Sequence, residues 1–84
     1  MVKHKVIKVK VTKKHIKCGV KGNEYLCPIA RAVRALGYKR VSVDSVSIIT
    51  RNQTFSVPYQ AGDFIWDFDK GQKVRPFTFI ARSE

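Results

Sequence analysis

Eleven residues, CPIARAVRALG from Cys27 to Gly37, restrict the fold more than any other part of the chain, because they carry both ends of a helix and its two faces. Pro28 loses no hydrogen bond at a first helical position, and Gly37 accepts the left-handed conformation that closes a helix. Ile29, Ala32, Val33 and Leu36 recur at helical spacing and form a core-facing stripe, which turns Arg31 and Arg34 toward water or a ligand. The expectation is a short helix with a cationic outer face.

That stripe needs a partner, and the flanking sequence supplies a sheet. From Val6 to Thr12 the residues alternate, with Ile7, Val9 and Val11 on one face and Lys8, Lys10 and Thr12 on the other, as in a half-buried strand. Lys17 to Glu24, KCGVKGNE, reads as a loop. Val41 and Val43, then Val46 and Ile48, give one bent strand or two short ones around Asp44-Ser45, and Arg51-Asn52 turns into a strand over Gln53–Val57. Pro58 opens a second helix whose buried stripe is Ala61, Phe64, Ile65 and Phe68, with Gly71 as its stop and Trp66 pointing away. Phe77, Phe79 and Ala81 make a last strand. The order β-α-β-β-α-β predicts an α+β fold in which two helices cover one face of an antiparallel sheet, ferredoxin-like or a related small sandwich.

Eighty-four residues predict a single small basic domain over 1–84 with a modest core, which self-association would supplement. The formal charge is +11, and its placement matters more than its size. Residues 1–21 hold eight lysines and no acid, residues 22–40 add Arg31, Arg34, Lys39 and Arg40 against Glu24, and the second half is balanced. A field this one-sided attracts polyanions, although lysines on an edge strand also serve to block edge-to-edge pairing. With no apolar run of signal or transmembrane length, the expectation is a cytoplasmic protein without membrane contact, its two cysteines reduced.

Catalytic and cofactor chemistries find little support. The glycine-containing loop lacks the Gly-Lys-Ser/Thr ending of a P-loop. Cys27 stands where it would cap the helix, and a thiolate there suits a phosphatase only with an arginine six residues on, where Val33 stands instead. Cys18 and Cys27 are too far apart for a Cys-x-x-Cys redox pair, and His15, Cys18 and Cys27 lack the paired spacings of a zinc motif. An RNA-recognition platform requires aromatics on its two central strands, which here offer Lys8, Lys10, Ser47 and Thr54, with Phe55 the one aromatic. No enzyme, cofactor or metal is therefore expected.

The segments CPIARAVRALG, VSVDSVSI and FIWDFDKGQKVRPFTFIA, spanning Cys27 to Ala81, resemble a family of short bacterial and phage proteins. No activity transfers with that pattern. The resemblance implies a phage accessory protein, a class in which small basic oligomers sequester nucleotide second messengers as an anti-defence device.

The leading expectation is a non-catalytic homo-oligomer that captures a phosphorylated small molecule such as a signalling nucleotide, in the host cytoplasm if phage-encoded. Arg31, Arg34, Lys17 and Lys21 are the candidate phosphate contacts, the last two with loop N–H groups beside the helix N-terminus. Lys8 and Lys10 add to the field, and Tyr25 or Tyr38 would stack on a base. Two alternatives remain open: a nucleic-acid-binding module held by phosphate contacts, and an inhibitor that docks on an acidic host protein.

Overall fold

A computed structural model describes residues 5–83. Strand β1, Val6–Val11, alternates as its sequence does, with Ile7, Val9 and Val11 buried and Lys8 and Lys10 exposed. Helix α1, Lys13–Cys18, follows at once and has no buried residue of its own. Its start is a reciprocal cap: the Thr12 hydroxyl accepts the His15 N–H at 3.3 Å, and His15 Nδ1 accepts the Thr12 N–H at 3.1 Å. Glu or Gln usually fills the return position of such a box. Because a histidine fills it here, the Thr12–His15 spacing lacks its usual Glu or Gln, and the expected pattern of two helices becomes three.

Helix α2, Pro28–Ala35, begins on Cys27, whose Sγ accepts the Ala30 N–H, and buries Ile29, Ala30, Ala32 and Val33. Leu36 is not part of that stripe: the helix ends before it, and it is half exposed as the C-cap, ahead of Gly37 at φ 104°. Strands β2 (Ser42–Val43), β3 (Ser47–Ile49) and β4 (Thr54–Ser56) form a short meander. Its first turn is held by Asp44, whose Oδ1 accepts the Val46 and Ser47 N–H groups at 2.8 and 2.7 Å. Helix α3, Tyr59–Asp69, buries Ala61, Phe64, Ile65 and Phe68 as its spacing predicts, and β5, Phe77–Ser83, closes the sheet.

The sheet order is β1-β5-β4-β3-β2 with every neighbouring pair antiparallel. The α+β class stands. The ferredoxin-like arrangement does not follow from this order, because a split β-α-β unit leaves two parallel strands around a third, whereas β1 and β2 here occupy opposite edges. One sheet face carries Val9, Val11, Phe79, Ala81, Phe55 and Ile48 into a single core with α2 and α3. The other face is open, and on its β1–β5 half Lys8 pairs with Ile80, Lys10 with Thr78 and Val6 with Arg82.

Two glycines set how closely the elements approach. A Cβ on Gly19, the residue after α1, would lie 2.6 Å from Pro28 Cδ and Cγ, so α1 meets the start of α2 only through a bare backbone. A Cβ on Gly62 in α3 would stand 3.0 Å from the Ser45 carbonyl, which brings α3 against the β2–β3 turn.

Candidate functional site

The seam between α1 and α2 forms a small cationic cavity of about 240 Å³ lined by Lys14, His15, Cys18, Arg31 and Arg34. No acid lines it. Arg31 and Arg34 come from adjacent positions on one face of α2, and α1 supplies the opposite wall. The Arg31 Nε is buried and has no hydrogen-bond partner among the described residues. Leaving a buried donor unpaired costs about 1–3 kcal/mol, and more on a charged group. Arg34 is anchored by donation from Nη1 to the Tyr25 carbonyl.

His15 stands in the same wall. Burial and the neighbouring Lys14 hold its pKa below the ordinary histidine value, Arg31 adds to that, and the Lys10 backbone opposes it. Its Nδ1 is committed as an acceptor to Thr12, so the ring position is fixed by the helix cap.

The other expected phosphate contacts do not join this pair. Lys17 is exposed on α1 and lies outside the cavity lining. Lys21 reaches the far end of α3, its Nζ 3.1 Å from where a Gly71 Cβ would stand. Lys8 and Lys10 project from the open sheet face. Tyr25 is exposed, and its hydroxyl engages Glu24, whose carboxylate raises the tyrosine pKa. Tyr38 packs edge-on against Phe55 with ring centroids 5.7 Å apart and lines a separate cavity with Lys5, Lys39 and Arg51.

Three amides of the loop before α2 already have acceptors: the Gly22 N–H donates to Asp69 Oδ1 of α3 at 2.9 Å, and the Tyr25 and Leu26 N–H groups both donate to Asn23 Oδ1. Gly22, Asn23 and Glu24 instead line a larger groove of about 680 Å³ with Asp44, Asp63, Asp69, Val46, Tyr59 and Trp66. A glycine-rich loop beside a helix start has no fixed sign, and here the carboxylates of distant segments decide it. Cys27 is buried at the floor of this groove, and burial pushes its thiol pKa up, away from the thiolate a nucleophile needs.

No known protein family, curated protein or solved structure matches this chain. The functional reading therefore rests on the cavities themselves. Lys14, His15 and Cys18 are the cavity residues that sequence patterning does not single out for this role. A pointer to them does exist in the chain: Thr12 and His15 stand at capping-box spacing, which, once accepted, places Lys14 and Cys18 one turn apart on a helix beside α2.

Proposed function

We propose that this chain is a binding protein for a phosphorylated ligand, held by Arg31 and Arg34 in the seam between α1 and α2, and that it sequesters the ligand rather than converting it. The observation that carries this reading is the pair Arg31 and Arg34 in a cavity that Lys14 also lines and that, among the described residues, no acid lines, with the Arg31 Nε unpaired. A phosphoryl group brings several acceptor oxygens and negative charge to that position, and an arginine fork matches its geometry. At about 240 Å³ the cavity is smaller than the roughly 300–1,000 Å³ typical of drug-sized ligands. It suits a phosphate or diphosphate group whose remaining parts lie outside. Tyr25, whose carbonyl anchors Arg34, is the nearer of the two tyrosines proposed to stack on a base.

Isothermal titration with linear and cyclic nucleotides, in parallel with duplex DNA at increasing salt, tests the reading. A nucleotide should bind the wild type, and Arg31→Ala should weaken it by about 1.5–3 kcal/mol, roughly 10- to 150-fold, as expected for a charged hydrogen bond. Lys17→Ala should change little. Binding to DNA alone, with a steep loss as salt rises, would move the function to the open lysine face and refute the cavity reading.

A further inference from the structure

The larger groove does not fit the chain's net charge. Glu24, Asp44, Asp63 and Asp69 line it, and among the described residues no lysine or arginine does. Between these carboxylates stand large apolar side chains that the fold leaves in water: Val46 is 66%, Trp66 63% and Tyr59 94% exposed. On the opposite side of the molecule, the open face of β1 and β5 offers Lys8, Lys10 and Arg82 around Val6 and Ile80, which are about half exposed. One surface is acidic, apolar and concave; the other is basic, apolar and a sheet.

We infer that the groove receives the β1–β5 face of a second copy of this chain, in a head-to-tail contact. The charges are complementary, and each surface exposes aliphatic or aromatic area that a contact would cover. Because they lie on opposite sides, one molecule can use both at once, so the contact is heterologous and propagates into a ring or an open chain. Lys70 of the same chain already occupies one face of the Trp66 ring at 4.3 Å, which leaves the groove's carboxylates as the charges an incoming lysine would meet. Repulsion between two cationic copies opposes the encounter. At about 0.15 M salt, charges separated by more than roughly 8 Å are largely screened, while desolvated contact pairs are screened much less.

Two exposed-surface variants test this without touching the core or the cationic cavity. Trp66→Ala removes the groove's apolar anchor and leaves the sheet face whole; Lys8→Glu with Lys10→Glu reverses the sheet face and leaves the groove whole. In sedimentation velocity at physiological salt, the wild type should exceed its 9.6 kDa monomer mass as concentration rises. Each variant alone should stay monomeric. An equal mixture should give one-to-one dimers and nothing larger, since only one intact groove and one intact face remain to meet. A monomeric wild type at all concentrations would overturn the inference, as would variants that still associate or a mixture that fails to pair. If the monomeric wild type instead changed its single-tryptophan fluorescence with oligolysine or spermine, the groove would belong to a foreign polycation, and the inference would equally fail.

Discussion

Gly19→Ala should destabilise the protein, although the change would be stabilising almost anywhere else with the same backbone. Gly19 has φ −68° and ψ 150°, an extended conformation that any residue adopts, so restricting the unfolded chain alone would favour alanine by about 0.4–1 kcal/mol. The added methyl, however, would lie 2.6 Å from two carbons of the Pro28 ring and 3.0 Å from the His15 carbonyl. None of these is the end of a flexible side chain that can swing aside. Overpacking of this kind costs about 1–3 kcal/mol, which leaves a net loss of roughly 1–2 kcal/mol. For a chain of this size that is a fall in Tm of about 5–15 °C, readable by circular dichroism. Combining it with Pro28→Ala isolates the contact: if the ring is the obstacle, the double variant should recover about 1–2 kcal/mol relative to the summed single effects. A Tm that is unchanged or raised in Gly19→Ala would show that α1 does not seat on α2 in this way, and the cationic cavity would lose one wall.

The neutral form of His15 is favoured in the fold, so its contribution to stability is complete above the unfolded value of about 6.5 and is lost as pH falls through the lowered folded value. Thermal stability should therefore hold from pH 8 to pH 7 and decline below about 6.5, and His15→Gln, which retains an acceptor for the Thr12 N–H, should remove that part of the decline. Asp44→Ala deletes the acceptor of two turn amides, and because those groups can turn to water the loss should be about 1 kcal/mol in urea denaturation, with the meander loosened rather than abolished.

Periodicity made much of this fold readable. Alternation in β1 and the Ala61-Phe64-Ile65-Phe68 stripe of α3 each state a burial pattern, and the structure repeats them residue by residue. Helix α1 was hidden because six residues with no buried position leave no apolar rhythm, and because its cap uses histidine. Strand order was hidden for a different reason. Which edge β1 takes depends on pairing with β5, and no local pattern encodes that choice. The same holds for the candidate site: Arg31 and Arg34 share a helix face and were legible together, but the sign of the loop beside them depended on Asp69 and Asp44, carboxylates brought in from elsewhere in the chain.

The place of β5 in the sheet has a consequence for how the protein comes into being. Among the described residues β1 is an edge strand that ladders with β5 alone, and Val6 pairs with Arg82 across 76 positions of sequence. Contacts of such separation form slowly because a long loop must close first. During synthesis the 65 residues between the end of β1 and the start of β5 take roughly 3–13 s at about 5–20 residues per second. For that interval the lysine-rich strand has no ladder to join, and α1, which is capped directly from its end, has no fixed base. The lysine-rich β1 is thus made well before the strand that orders it.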